Sequence, residues 1–158
     1  MPTLQTILVP IDGSPPSVAA LEHALTLAQD YGAEVMALHV ATEQGTLTPV
    51  PDEAAGRAMD AAIDDARIAL GDDRLSFRIC VGEPVTEIVE AAQDADLIVI
   101  GTHGRIGRIY SILGSVAEGV VRNAPCPVLT VHDATGGYQS FSESRHHRPS
   151  IAEQARER

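Results

Sequence analysis

Gly101 and Gly104 stand three residues apart, and after nine more residues come Gly114 and Ser115. Glycines where a strand ends let the backbone turn with positive φ and approach a ligand closely. A small residue and a hydroxyl at a helix start offer unpaired N–H groups and a favourable dipole to an anion. The group follows the apolar run Asp96 to Ile100 and leads into a helical pattern, so the chemistry it points to is a cradle for phosphate. Near the N-terminus, Val9-Pro10-Ile11-Asp12-Gly13-Ser14 sets an acid at the end of another strand-like run, where it can serve as a helix-entry residue or meet a ligand or its metal.

What accompanies these residues excludes two common phosphate binders. A P-loop needs Gly-x-x-x-x-Gly-Lys-Ser/Thr with its lysine on the outer phosphates. All eleven cationic side chains of this chain are arginine, which excludes a Walker-type NTPase. A dinucleotide fingerprint would place Gly-x-Gly-x-x-Gly after the first strand. The sequence reads Pro-Ile-Asp-Gly-Ser there, which argues against ordinary NAD binding.

The elements that must position the glycines alternate as in a parallel sheet with crossover helices. Strands are expected at Leu4 to Val9, Glu34 to Val40, Leu75 to Val81, Asp96 to Ile100 and Val128 to His132. Ser14 reads as an N-cap with Pro15 at the first helical position, and Val18, Leu21, Ala24, Leu25 and Ala28 share a face before Gly32 stops the helix. The loop Ala41 to Pro51 leads to Asp52, which caps a long helix running to Leu70 before Gly71. Gly82-Glu83-Pro84 opens a short helix through Gln93 with Ile88, Val89 and Ala92 inward, and a last helix spans Ser115 to Asn123. Right-handed crossovers leave few assemblies, and ligands sit where the strand order reverses. An order 3-2-1-4-5 brings Asp12 and the glycine cradle to one such point. The fold class expected is therefore α/β, a five-stranded parallel sheet with helices on both faces.

Composition fits one such domain. The chain has 158 residues, 44% of them hydrophobic, but two Phe, three Tyr and no Trp, so its core must be aliphatic. A net charge of −11 argues against a nucleic-acid partner. An anion must then be held by local donors rather than by the overall field. The charge is uneven, with four arginines against three acids in residues 134–158 and seven against nineteen before them. No basic n-region precedes the first apolar run, and no apolar stretch reaches the length of a membrane span, so the expectation is a soluble, cytoplasmic protein, not membrane-embedded. Cys80 and Cys126 lack metal-ligand spacing and read as reduced core thiols.

Val9-Pro10-Ile11-Asp12-Gly13-Ser14, the Gly-x-x-Gly-x9-Gly-Ser pattern at 101–115 and the closing Ala124-Pro125-Cys126-Pro127-Val128-Leu129-Thr130-Val131 together resemble the universal stress protein family, in its ATP-binding branch. The resemblance covers roughly residues 4–132 and implies an adenine nucleotide alpha hydrolase-like, Rossmann-like fold. It also implies ATP, or ADP or AMP, as the ligand, with Mg2+ or Mn2+ carried on the phosphates beside Asp12. By the same resemblance, Pro10 and Ile11 line the wall beside Asp12, and the backbone of Val40 reads the adenine edge. Ile100 belongs to the same site, and Gly101 and Gly104 approach ribose and phosphates. Arg105 and the loop to Gly107 flank the phosphates, and Ser115 with the amides of Val116 and Ala117, next to Gly114, receives the outer ones. His103 lies between the two cradle glycines; it invites assignment as a general base, but reads as a loop side chain whose backbone does the binding.

The family implies a homodimer paired through the fifth strand, Val128 to Val131, whose apolar edge needs cover, and a nucleotide-dependent regulator of the stress response rather than an enzyme. No base and no lysine are evident for phosphoryl transfer, so turnover, if any, is weak ATP hydrolysis at the same site. The alternatives are a slow ATPase, or an interaction module with a vestigial nucleotide site whose partner is a protein such as a transporter's cytoplasmic part. Residues 1–133 form the nucleotide-binding domain, and 134–158 a C-terminal extension, flexible or docked on a partner, in which His146 and His147 lack the spacing of a metal site. Arg108 reads as a loop charge, Ser111 replaces a larger apolar residue expected in the motif loop, and His23 and His39 read as structural.

Overall fold

Strand, helix and again strand alternate along the chain because each apolar run is either continuous or periodic at 3.6 residues. The computed structural model describes residues 3–42, 53–102 and 113–132. Strands β1 (Thr6–Pro10), β2 (Glu34–Ala41), β3 (Leu75–Val81), β4 (Leu97–Thr102) and β5 (Val128–His132) form one parallel sheet in the order β3-β2-β1-β4-β5. The order and the parallel pairing are those expected. Ile7, Leu8 and Val9 have no exposed surface, and neither do Ile98 and Val99. Both faces of the central strands are therefore covered, as parallel sheets require.

Alternate residues divide the core. Ile7, Val9, Val35 and Val99 face helices α1 (Pro15–Tyr31) and α2 (Glu53–Leu70), with Leu21, Ala24, Ile63 and Ala66 packed on them. Leu8, Leu38, Ile98 and Ile100 face α3 (Pro84–Ala91) and α4 (Ser115–Asn123), with Ile88, Ala92 and Val120. All of these are aliphatic, as the scarcity of rings demands. Helix α1 buries four alanines, at 19, 20, 24 and 28, and their small side chains allow its axis to lie close to the sheet.

Helix boundaries follow local chemistry. Ser14 caps α1 from an extended conformation, and Gly32 closes it at φ 71°, where its N–H donates to the Ala28 carbonyl. Gly71 follows α2 at φ 80° and donates to Arg67 O. The Asp52 cap and most of the preceding loop lie outside the described residues. Several expected boundaries move: β1 is Thr6–Pro10 rather than Leu4 to Val9, β2 runs one residue further to Ala41, and β4 runs two further to Thr102. The third helix ends at Ala91 and tightens into a single 3-10 turn, Ala92–Asp94, instead of running on through Gln93. Strand β4 begins at Leu97, one residue after Asp96, whose carboxylate faces the neighbouring chain end. Its Oδ2 accepts from the amides of Thr6 and Gln5, each at 2.9 Å, and ties the start of β1 to the start of β4. Both cysteines are free but half-buried rather than core, on the side of α3 and α4. Burial pushes both thiols up, helped by the Glu87 carboxylate at Cys80 and by Asp96 at Cys126.

Among the described residues no helix is long and apolar enough to cross a membrane.

Candidate functional site

The carboxyl ends of β1, β2 and β4 border a cavity of about 220 Å³ at the point where the strand order reverses. Three helices, α1, α3 and α4, start at its rim. Pro10, Ile11 and Asp12 enter from the end of β1, Val40 from β2, and Ile100 and Gly101 from β4. Gly114, Ser115, Val116 and Ala117 enter from the start of α4. All the residues that the resemblance assigned to the site and that lie among the described ones thus meet at one cavity. His103, Gly104, Arg105 and Gly107 lie outside the described residues, as do Arg108 and Ser111.

The same walls hold residues that the linear reading did not place there. Leu38, Pro84 and Ile88 form an apolar side between β2 and α3, and Ser14, Ser17 and His39 complete the lining. Ser14 was expected only as a helix cap, and His39 only as a structural residue. Among the described lining residues none is cationic, Asp12 is the one acid and His39 the one imidazole.

The three helix starts differ in how their orphan amides are used. At α1, Ser14 Oγ accepts from Ser17 N at 3.4 Å, and Ser17 Oγ donates to Ser14 O at 2.9 Å. Asp12 joins this turn, since its Oδ1 accepts from Ser14 N at 2.9 Å and its own amide donates to Ser17 Oγ at 3.3 Å. The helix-entry role and a place on the cavity wall therefore coexist at Asp12. At α3, Glu83 accepts from Val85 N at 3.2 Å and from the Thr86 amide and hydroxyl at 2.8 and 2.7 Å. These bonds, the Thr86 hydroxyl first, hold its carboxyl below the ordinary glutamate value of 4.5. At α4 the cap is Gly114, extended at φ −65° and ψ 159°, with no side-chain cap for the amides behind it. Among the described residues, two starts are filled by the protein's own oxygens and one has no side-chain cap.

Gly101 acquires a packing reason. A Cβ there would lie 2.7 Å from Ser17 N and closer still to the backbone carbonyl of Pro16. Its missing side chain lets the end of β4 touch the first turn of α1, which brings the two halves of the rim together.

No group of three or more His, Cys, Asp or Glu side chains with metal-binding geometry occurs among the described residues. A divalent ion at this cavity would find Asp12 as its one described carboxylate and would take its other ligands from phosphate and water.

The family of this fold and site can be stated from comparison. Residues 3–132 match the model of the universal stress protein family, and the chain belongs to that family. It is 36% identical over 137 residues to a universal stress protein of Methanocaldococcus jannaschii, covering 79% of this chain and 80% of that one. It is 34% identical over 131 residues to one of Mycolicibacterium smegmatis, where the match spans 79% of this chain and 45% of the longer relative. Among solved structures, a universal stress protein in complex with cAMP superposes with a TM-score of 0.63 at 31% identity, covering 84% of this chain and all of that one. The universal stress protein of Archaeoglobus fulgidus in complex with dAMP gives 0.60 at 26%, covering 82% and 99%.

Proposed function

We propose that this protein binds an adenine nucleotide in the cavity and acts as a nucleotide-dependent regulator in the stress response. The observation that carries the reading is the bare start of α4. Among the described lining residues there is no cation, and the amides at the start of α4, with a helix dipole behind them, are the neutral donors those residues offer to a phosphate. The apolar side formed by Leu38, Pro84 and Ile88 suits a flat base, and Val40 offers backbone polar groups beside it. The neighbours solved with cAMP and dAMP support an adenine ligand. ATP, ADP and AMP all fit the reading, and a triphosphate would bring Mg2+ or Mn2+ to Asp12 to offset the charge that the cavity itself leaves uncompensated.

In the same reading the protein is a homodimer joined along β5. Among the described strands β5 is a sheet edge, with Leu129 38% exposed, and such edges call for cover. Binding rather than turnover is the central activity in this reading. A cytoplasmic location and a protein partner belong to this proposal. The C-terminal extension, a separate segment in this reading, lies outside the described residues.

Denaturing freshly purified protein and identifying the released nucleotide by chromatography tests the reading. The expected result is an adenine nucleotide, and saturable binding of ATP, ADP or AMP by the stripped protein with magnesium or manganese. A protein that carries none and binds none would overturn it.

A further inference from the structure

His39 is the described cavity residue whose chemistry the nucleotide reading leaves unused. Its Nδ1 lies 2.8 Å from the Ile11 carbonyl oxygen. A carbonyl oxygen only accepts, so Nδ1 carries the proton, and in the neutral ring Nε2 is then a bare acceptor. His39 is half-buried and belongs to the cavity lining, and the Ile11 carbonyl is the hydrogen-bond partner of its ring among the described residues. The tether is short on both sides, because Ile11 N donates to Leu38 O at 2.9 Å. One end of the imidazole is therefore fixed by the loop after β1. Of the neighbouring polar side chains, Ser14 and Ser17 have their oxygens engaged in the first turn of α1, and Asp12 accepts from Ser14 N.

We infer that His39 is a specificity-determining residue, whose Nε2 accepts a hydrogen bond from an N–H or O–H of the nucleoside part of the ligand. The inference rests on the nucleotide reading above and deepens it. Val40, next to it on β2, presents backbone groups, which read the base through main-chain polarity. His39 adds a side-chain acceptor with a tautomer set by the fold, so a ligand that offers another acceptor at that point is disfavoured. Two donors on an adenosine phosphate have this chemistry: the 6-amino group and a ribose hydroxyl.

The test separates the tether from the acceptor. Asn at this position keeps an N–H near Nδ1 for the Ile11 carbonyl but has nothing at the place of Nε2, whereas Leu loses both. Binding of AMP, of IMP, which has a 6-oxo group, and of the 2′-deoxy and 3′-deoxy analogues of AMP is measured on the full chain with His39, with His39→Asn and with His39→Leu. The expected result is that His39→Asn melts like wild type and binds AMP roughly three- to tenfold more weakly, the effect of one neutral hydrogen bond. One analogue should lose the same factor on wild type and lose nothing further on His39→Asn, and it identifies the donor. Equal AMP affinity of wild type and His39→Asn, with selectivity among the analogues unchanged, would overturn the inference and leave the nucleotide reading standing. A wild type that binds none of the four ligands would overturn that reading and the inference with it. Independently of any ligand and of any variant, the 15N shifts of the His39 ring in the free protein should show the proton on Nδ1. A proton found only on Nε2 would overturn the inference.

Discussion

The starts of α1 and α4 face each other across one cavity, and they are built on opposite principles. Helix α1 opens on Ser14, whose oxygens, with those of Asp12 and Ser17, take up the free amides of the turn. Helix α4 opens on Gly114, which has no side chain to do so. Helix α3 sides with α1, since Glu83 closes its first turn with a carboxylate. Among the described residues, two helices are capped by side-chain oxygens and a third at the same cavity is not, and a glycine in place of a capping side chain costs a small amount of stability there. The difference teaches where a ligand's charge belongs: an anion at α1 or α3 would compete with groups already bonded there, and at α4 it would not.

The contact that holds the two starts in register is the place to break the comparison most severely. Gly101→Ala puts a Cβ against the backbone of Pro16 and Ser17, which cannot swing aside as a side chain would. The expected loss is about 2–3 kcal/mol, read as a lower denaturant midpoint at unchanged slope. A midpoint equal to wild type would show that the first turn of α1 can withdraw freely.

Making the bare start resemble the filled ones sharpens it. Gly114→Asp supplies α4 with a carboxylate cap, so stability should rise by about a few tenths of a kcal/mol. Affinity for a phosphate-bearing nucleotide should fall by at least about tenfold, since the new charge occupies the amides and repels the ligand. A variant that gains stability and keeps its affinity would move the phosphate site elsewhere.

The smallest effect lies at α3. The Glu83 carboxyl is held below its ordinary value by the folded-state bonds to Thr86 and Val85. Its contribution is therefore present above about pH 4.5, the unfolded value, and is lost as the pH falls through the lower folded value. Wild type should lose more stability than Glu83→Gln between about pH 6 and about pH 3. Parallel losses in the two proteins would show that the cap bonds do not depend on the carboxylate charge.

The sheet order and most element limits could be read from the chain because their signals are local. Pro15 and Gly32 mark the ends of α1, Gly71 follows α2, and the unbroken apolar runs at 7–9 and 97–100 belong to strands covered on both faces. Contacts across crossovers carry no such mark. His39 precedes a strand end by two residues, and nothing in its neighbours along the chain reveals that its ring reaches the Ile11 carbonyl. Pro84 and Ile88 read as the start and inner face of a helix, which they are, and only the fold adds that this helix begins at the cavity. The Asp96 carboxylate looked like part of a strand because its partners, the amides of Gln5 and Thr6, are ninety residues away. Gly101 was expected to turn the backbone with positive φ, which among the described glycines only Gly13, Gly32 and Gly71 adopt; what it does allow is a close approach, and that approach is to α1.

The aliphatic core has an optical consequence. With three tyrosines and no tryptophan, the protein is nearly dark in the near ultraviolet. An adenine ring travelling with it through purification would dominate the absorption spectrum, so the ratio of absorbance on the nucleotide band to that on the tyrosine band reports occupancy directly. The same darkness makes a single tryptophan, introduced at a position such as Ile68 on the outer side of α2, where the side chain is 85% exposed, an unshared fluorescent reporter for the whole molecule.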